Sequence, residues 1–290
     1  MRNSGGSPSL DNCIFRHNVA RKKGAGMYNT SGAKPSLTSC VFRENAANSF
    51  SGQAGAMYNL LSDVTVIDCT FVANTASDVG ALFNQGDSIF VDCRFLGNLG
   101  QTQAGAVLDL GSAAYINCEF SGNNTNGNGG AVNYAPLFGT NATAFINCSF
   151  SENVSIAGAG GALYANLFLA LPNGPSMLNC ILWGNAAVTG PEISMNGPVT
   201  LSVSYCDVEG GQAGVEVGGL ATLDWGSGNI ATDPFFVDAT GPDDVAGSED
   251  DDLHLMPSSP CINAGDPDFV ADPVDEDIDG DPRIFNCRVD

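Results

Sequence analysis

The chain has 290 residues, is 43% hydrophobic and carries a formal net charge of −22 at pH 7. No stretch approaches the roughly 18 apolar residues of a transmembrane helix, and the N-terminus lacks the apolar segment of a signal peptide. Only ten residues are Lys or Arg, and none lies between Arg94 and Arg283. Because nucleic acids bind through cations that neutralise phosphates, we expect neither a membrane span nor nucleic-acid binding.

The chain begins with a near-copy of its own residues 27–42. It opens MRNSGGSPSLDNCIF, and Met27 to Phe42 reads MYNTSGAKPSLTSCVF, with one residue inserted. Met1 therefore occupies the phase of Met27, in the middle of a repeat. Because an uncapped repeat array exposes its core, we expect the natural protein to continue upstream.

A short word, Asn/Asp/Ser-Cys-x-Phe-x-x-Asn, recurs at intervals of 24 to 32 residues, first at Asn12 and last, in degraded form, at Tyr205. Its Cys and Phe are two residues apart, so a strand directs both to the same face. The residue between them varies in polarity, as solvent-facing positions do. We therefore predict one inward row of cysteines, formed by Cys13, Cys40, Cys69, Cys93, Cys118, Cys148, Cys180 and Cys206.

Each word also predicts a bend. The residue before the cysteine is Asn, Asp or Ser in seven of the eight words, and Asn and Asp tolerate the left-handed conformation. A second word, such as GAGMYN at Gly24 and AGAMYN at Ala54, supplies a further strand. Short strands with single-residue bends, repeated at a period near 24 residues without helical periodicity, predict a parallel β-solenoid.

These words resemble those of the right-handed parallel β-helix repeat family, including the polymorphic outer-membrane-protein-like repeats of bacterial surfaces. The resemblance covers residues 1–218, where it implies an all-β, right-handed parallel β-helix of about eight coils. An irregular acidic cap region is expected at 219–290. The resemblance also implies an extracellular or cell-surface location.

Ten cysteines leave three chemical interpretations open. Thiols stacked about 4.8 Å apart in a core need no bond, and we predict this structural ladder. An even number of cysteines in a secreted-looking fold also suits disulfides. A metal is the weakest alternative, because no Cys-x-x-Cys occurs and only His17 and His254 could assist.

The asparagines of the repeated word predict an internal ladder of side-chain amides. In such a ladder each amide bonds its neighbours above and below and satisfies a buried bend. A polar binding strip is the alternative. The row consists of Asn18, Asn45, Asn74, Asn98, Asn123, Asn153 and Asn185.

Four aromatic residues follow the apolar position of the second word and form a candidate glycan-binding face: Tyr28, Tyr58, Phe83 and Tyr164. Strand alternation points them away from the inward residues, and sugars stack on aromatic rings. Leu and Asn interrupt the row at two positions. The alternative is therefore that loops between the coils cover the rings.

The repeats contain no recognisable catalytic constellation. Uronate lyases need a cation beside a base, but residues 95–205 contain no Lys or Arg. Hydrolases need paired carboxylates, whereas Asp109, Glu119, Glu152 and Glu192 are dispersed in the sequence. We expect no catalytic or cofactor-binding residues. The alternative is a polysaccharide lyase or glycoside hydrolase of the pectate-lyase-like type, with its site in missing coils.

From Ser227 onward the sequence resembles the C-terminal segment of large secreted bacterial β-helix proteins, through DPFFV, HLMPSSPCINAG and DGDPR. In that family the closing Val-Asp continues through a further short stretch, so we expect truncation at Asp290. RIFNCRV repeats the spacing of the repeated word, which predicts that Cys287 is one more stacked position. A disulfide between Cys261 and Cys287 is the alternative.

The acidic tail also predicts calcium as the one candidate cofactor. Asp275, Asp277 and Asp279 alternate as in the first half of a calcium loop, and Asp281 is a further donor. The twelfth position is Asn286, which cannot supply a bidentate carboxylate. A solvated acidic loop is therefore the alternative.

Taken with the resemblance, these features predict a non-catalytic extracellular or cell-surface scaffold of the adhesin type. A polysaccharide or a surface protein would bind along its long face.

Overall fold

The computed structural model describes residues 1–50, 52–136, 142–167, 174–269 and 278, with the backbone of 284–285 and 288–289. These residues form four parallel sheets that run along a solenoid, with one short strand per coil in each sheet. The helical element among them is a 3-10 turn at Gly211–Gly214. The predicted all-β parallel solenoid is therefore confirmed.

The strands follow one another through the four sheets in every coil. The first sheet contains Arg2–Ser4, Met27–Thr30, Met57–Leu60, Leu82–Gln85, Val107–Asp109, Val132–Tyr134, Leu163–Asn166, Ile193–Asn196 and Glu216–Val217. The second contains Ser9–Asp11, Ser36–Thr38, Thr65–Ile67, Asp87–Val91, Ser112–Ile116, Ala144–Ile146, Ser176–Leu178, Thr200–Ser204 and Thr222–Trp225.

The third-sheet strands lie within the repeated word, and each fourth-sheet strand begins directly after the asparagine that ends the word. The third sheet contains Ile14–Arg16, Val41–Arg43, Thr70–Val72, Arg94–Leu96, Glu119–Ser121, Ser149–Ser151, Ile181–Trp183 and Asp207–Val208. The fourth contains Val19–Ala20, Ala46–Ala47, Thr75–Ala76, Leu99–Gly100, Asn124–Thr125, Val154–Ala159 and Ala186–Thr189.

Two left-handed residues bound each third-sheet strand and turn the chain from sheet to sheet. The residue before each of the eight cysteines has a φ between 48° and 53°. A second left-handed residue precedes each ladder asparagine, as at Glu44 and Ala73. Because Asn and Asp adopt this conformation at little cost, their preference before the cysteine predicts the first bend.

Aromatic rings fill the core in columns along the solenoid axis. One column has ring centroids 4.6 to 4.9 Å apart and planes within 6° of one another. It consists of Phe15, Phe42, Phe71, Phe95, Phe120 and Phe150. A register slip of one residue would turn every ring to solvent, so this column fixes the register of the coils.

The eight cysteines of the repeated word are free thiols, and all but Cys13 are buried. Cys40 illustrates their bonding, because its Sγ donates to the Thr38 carbonyl at 3.2 Å and its backbone N–H donates to Cys69 Sγ at 3.2 Å. Burial raises the pKa of the Cys40 thiol. Such thiols are small apolar core groups with little reactivity.

The asparagine row forms a continuous ladder that is buried from Asn45 onward, with Asn18 exposed at its start. From Asn18 to Asn185, each side-chain amide donates to the Oδ1 of the next asparagine at 2.8 to 3.0 Å. Each backbone N–H donates to that same oxygen at 2.9 to 3.1 Å. The second amide hydrogen bonds a phenylalanine carbonyl of the preceding coil, as Asn98 bonds Phe71 at 2.8 Å. The ladder therefore satisfies the polar groups of the second bend in the core.

Coil geometry extends beyond residue 218, where the repeated word has ended. Thr222–Trp225 pairs in parallel with Thr200–Ser204 as the ninth strand of the second sheet. The chain then leaves the solenoid and forms an antiparallel pair, Phe236–Asp238 with Asp252–Leu255. The sequence did not predict the extra strand because Thr222–Trp225 lacks the Cys-x-Phe word.

The described residues on either side of Cys287 do not extend a coil. Ile284–Phe285 and Arg288–Val289 pair with each other in antiparallel orientation, whereas a further stacked position requires parallel pairing with a coil. Cys287 itself lies outside the described residues. Cys261 is a free thiol.

Candidate functional site

The C-terminal arm, residues 236–255, folds back over the outer face of the third sheet. Its tip reaches coils far upstream, where Glu249 forms an ion pair with Arg43. Asp251 Oδ2 accepts hydrogen bonds from Ser121 Oγ at 2.9 Å and from the Gly247 N–H at 2.6 Å. The arm is therefore fastened to the solenoid at its tip.

Two glycines of the solenoid admit the tip of the arm. Gly97 and Gly122 occupy the second bend of their coils, a position that is also glycine at Gly184 and is His, Glu or Ala in the remaining coils. A Cβ at Gly97 would lie 2.6 Å from the Gly247 carbonyl oxygen, and one at Gly122 would lie 2.2 Å from that of Ala246. Glycine is thus required at both positions for the backbone of the arm to approach this closely.

A cleft of about 880 Å³ lies between the arm and the third sheet. Its floor consists of the first residues of five successive third-sheet strands, Arg94, Glu119, Ser149, Ile181 and Asp207. Residues 250–255 of the arm line the opposite side. Because strand alternation turns these floor side chains outward, the repeat places five side chains in one line beneath the arm.

A second amide ladder forms one wall of the cleft. The side chain of Asn147 donates to Asn117 Oδ1, and that of Asn179 donates to Asn147 Oδ1, both at 3.1 Å. The Asp266 N–H donates to Asn179 Oδ1 at 2.8 Å and so connects the C-terminal segment to this wall. These asparagines occupy the first bend, so the residues that predicted a turn also line the cleft.

The lining of the cleft is acidic. Its carboxyl groups belong to Glu119, Asp207, Asp250, Asp251 and Asp252, and its basic side chains are those of Arg94 and His254. Arg94 Nε lies 3.5 Å from Glu119 Oε2, and His254 Nδ1 lies 2.6 Å from Asp252 Oδ1. The described lining therefore carries a net negative charge even with both ion pairs formed.

Hydrogen bonds to Asp207 close one end of the cleft. Cys261 Sγ donates to Asp207 Oδ2 at 3.1 Å, and the Thr232 N–H donates to Oδ1 at 3.1 Å. Burial raises the pKa of Asp207, although both hydrogen bonds oppose this rise. Asp207 and Cys261 therefore join the last coil to the C-terminal segment.

The predicted aromatic face is divided in the structure. Tyr58 is 2% exposed and Phe83 is 6% exposed, and their stacked rings are 4.2 Å apart. A row of loop residues, Ala54, Val79 and Ala104, packs with these rings. Tyr28 and Tyr164 are part-exposed, but Tyr164 pairs in register with Asn and Ser rather than with an aromatic residue. The four rings therefore do not form one exposed row.

The predicted calcium ligands, Asp275, Asp277, Asp279 and Asp281, lie outside the described residues. Within the part of the chain that the structure describes, no group of three or more His, Cys, Asp or Glu could hold a metal ion. No helix among these residues is long and apolar enough to cross a membrane.

The structure brings three glutamates together that the sequence leaves far apart. Glu192 is 1% exposed and ends the asparagine ladder, because its two oxygens accept the Asn185 N–H at 3.2 Å and the Asn185 amide at 2.6 Å. Burial, opposed by the hydrogen bonds from Asn185 and assisted by the nearby Glu209, raises the pKa of Glu192 to about 8. Burial and Glu209 also raise the pKa of Glu152. Glu192 thus occupies the place of the next ladder asparagine.

A buried polar row on the first sheet was also missed. Asn29 donates to Asn59 Oδ1 at 2.8 Å, and Asn84 donates to Asp109 Oδ1 at 3.0 Å. Asp109 is fully buried and also accepts a hydrogen bond from Thr143 Oγ1 at 2.7 Å. The recurring Asn in MYN, MYN and LFN, replaced by Asp in VLD, is the sequence signal for this row.

Comparison with known proteins agrees with this architecture. A family model described as the right-handed beta helix region matches residues 2–150, slightly more than half of the chain. Searches of curated proteins and of solved structures each returned no match. With its parallel sheets, inward phenylalanine column and amide ladder, the chain belongs to the right-handed beta helix family.

Proposed function

We propose that this protein is a non-catalytic extracellular or cell-surface scaffold of the adhesin type, which holds its ligand in the cleft beneath the arm. The observation that carries this proposal is the cleft, an elongated cavity of about 880 Å³ along five coils. Its walls consist of parallel strands and an amide ladder, so the lining side chains have fixed spacing. A rigid lining lowers the entropy that ligand binding costs.

The strongly perturbed carboxyl groups support a non-catalytic role. Catalytic acids and bases must reach the proton that they transfer. Asp109 and Glu192 are 0% and 1% exposed, and each holds the polar row of its own coil through short hydrogen bonds. Their raised pKa values therefore have a structural cause, although a raised pKa is also typical of catalytic acids.

A glycan panel tests the proposal against the enzymatic alternative. The full chain is incubated with neutral and acidic polysaccharides in the presence of calcium, and bound material, new reducing ends and unsaturated products are measured. We expect no turnover of any polysaccharide, whether or not one binds. Reproducible product formation would overturn the scaffold proposal in favour of a lyase or hydrolase.

A variant that fills the cleft tests where the ligand binds. Ser149 lies in the middle of the floor, so Ser149→Trp should block ligand binding without disturbing the core. Ser176→Trp is the matched control, because Ser176 lies at an outward position of the second sheet and outside the cleft. Equal binding by both variants would show that the ligand binds elsewhere. Thermal melts verify that each variant is folded.

A further inference from the structure

The shape of the cleft restricts the kind of ligand that fits. Its floor runs across five strands from Arg94 to Asp207. With neighbouring strands about 4.8 Å apart, this line is about 19 Å long, which an extended peptide covers with about six residues. The cleft therefore suits a short linear segment that lies along the solenoid axis.

The charge of the cleft further restricts the kind of ligand that fits. Glu119 and Asp252 are part-exposed and line opposite sides, one on the sheet and one on the arm. Each has a basic neighbour, Arg94 or His254, but Asp250 beside them is exposed and adds a further carboxylate. The next Lys or Arg in the sequence after Arg94 is Arg283. A ligand with cationic groups would gain attraction from both sides, whereas an anionic one would be repelled.

The apolar part of the lining favours a peptide over a sugar. Ile181 and Ile230 of the solenoid and Leu253 and Leu255 of the arm line the cleft between its charged groups. Tyr205 is the aromatic residue among the described lining residues, and its ring lies against the backbone of residue 228, where a Cβ would be 2.1 Å from Cδ1. That ring face is therefore covered rather than presented to a sugar.

From these features we infer that the cleft binds a basic, extended peptide segment of a partner protein, about six residues long, with cationic side chains near Glu119 and Asp252 and apolar ones near Ile181 and Leu253. This inference rests on the proposed function, since it names the ligand of the same cleft. It excludes acidic polysaccharides as occupants of the cleft.

Fluorescence anisotropy with a labelled probe tests the inference on the full chain. The probe is a six-residue peptide of alternating lysine and isoleucine with blocked ends, and the comparison peptide carries glutamate in place of lysine. We expect the lysine peptide to bind, the glutamate peptide not to bind, and affinity to fall as salt rises from 0.05 to 0.5 M. Ser149→Trp should abolish binding, and Ser176→Trp should preserve it.

A matched pair of charge variants separates specific from diffuse attraction. Glu119→Gln with Asp252→Asn removes two carboxylates that line the cleft, and we expect a roughly tenfold weaker Kd. Asp243→Asn with Asp244→Asn removes the same charge from exposed positions of the arm outside the cleft, and we expect less than a twofold change. Equal weakening by both pairs would overturn the inference, because the peptide would then respond only to overall charge.

The peptide and glycan binding experiments together show whether the scaffold proposal, the peptide inference or both fail. If a neutral or acidic glycan binds, Ser149→Trp blocks it and the lysine peptide does not bind, the inference is overturned and the scaffold proposal stands. If neither peptide nor glycan binds, both are overturned. If the lysine peptide binds and glycans do not, both are supported.

Discussion

The solenoid and the arm are stabilised in different ways. In the solenoid, a residue bonds its counterpart in the next coil, so the same contact recurs from Asn18 to Asn185. In the arm each contact occurs once, such as Asp251 with Ser121 or Glu249 with Arg43. The solenoid therefore distributes its stability over many equivalent contacts, whereas the arm depends on a few.

This difference has consequences for how each region opens. Stability in a repeat array is approximately a sum of nearest-neighbour terms, so damage to one coil weakens two interfaces. Segments with few buried apolar contacts open at lower free energy than core strands do. The arm can therefore separate from the sheet while the coils beneath it stay folded.

The largest effect should come from breaking the ladder within the solenoid. Asn98→Ala removes the acceptor for the Asn74 N–H and amide, and the donor to the Phe71 carbonyl. These buried groups would lose their partners at about 1–3 kcal/mol each, so we expect a loss of at least about 3 kcal/mol in the free energy of unfolding. Chemical denaturation measures it.

The control for this variant is the neighbouring Asn124→Ala. Asn124 Oδ1 accepts no hydrogen bond from the described residues, so its removal should change stability by less than about 1 kcal/mol. A similar loss for both variants would mean that the ladder at Asn98 contributes no more than an ordinary polar side chain.

Most of the solenoid could be predicted from the sequence because each repeat of the Cys-x-Phe word places the same residues in contact with their counterparts in the next coil. The Cys-x-Phe spacing predicted the inward face, and Asn or Asp before the cysteine predicted the first bend. The ninth strand, Thr222–Trp225, was missed because its pairing depends on the coil before it rather than on a word of its own. The Asn29 row was missed although strand alternation turns Asn29 to the same inward face as Met27, two residues before it.

The second prediction concerns the end of the ladder, where a carboxyl group replaces the next amide. The pKa of Glu192 is raised from its ordinary value of 4.5 to about 8 by burial and by Glu209. Between these values only the folded state holds the proton, so this contribution to stability is complete below pH 4.5, falls as pH rises, and is lost above about 8. As the pH rises from 4.5 to about 8, we expect the free energy of unfolding of the native protein to decrease on the order of 3 kcal/mol relative to that of Glu192→Gln.

Gln is the right comparison because it resembles the protonated acid and does not titrate. Denaturation curves at pH 5 and pH 9 for the two proteins give the difference. Glu209→Gln removes one carboxylate that faces Glu192 and should reduce the pH dependence; Glu152 is the other glutamate at this end of the ladder. If the native protein and Glu192→Gln respond identically to pH, Glu192 is not the protonated end of the ladder.

The third prediction concerns the contact between the two regions. Gly122→Ala places a Cβ 2.2 Å from the Ala246 carbonyl oxygen and adds strain at a φ of +59°. We expect a loss of about 2 kcal/mol and faster proteolysis of the arm, because its tip can no longer rest on the coil. Limited proteolysis with mass spectrometry locates the cuts.

Gly184→Ala is the control that separates backbone strain at the bend from loss of the contact with the arm. Gly184 occupies the equivalent bend with a φ of +72°, but a Cβ there would meet the end of the Glu152 side chain, which can move. We expect similar strain and an arm that stays protected. Equal protection of the arm in Gly122→Ala would contradict the role of this glycine as its docking position.

The arm and its cleft could not be predicted because each of their contacts occurs once and therefore leaves no recurring pattern in the sequence. Asp251 and Ser121 are 130 positions apart and meet once. A partial signal was available, since Gly97 and Gly122 replace His, Glu or Ala at the second bend, but Gly184 does the same without touching the arm. In the aromatic row, Tyr58 and Phe83 recur in phase but pack beneath loops, which is the alternative that the interrupted row left open.

The smallest change in stability should come from calcium binding. It should be confined to the C-terminal segment and leave the coils of the solenoid unaffected. Asp275, Asp277, Asp279 and Asp281 lie within seven residues, and a divalent cation would relieve their repulsion. At a tenfold excess of free calcium over Kd, linkage gives about 1.4 kcal/mol of stabilisation. The coils should not respond, since their acids are dispersed. Hydrogen exchange and thermal melts, with calcium or with chelator, are measured on the native chain and on the double variant Asp277→Asn with Asp279→Asn. If calcium protects the double variant as well as the native chain, these residues form a solvated acidic turn and not a calcium site.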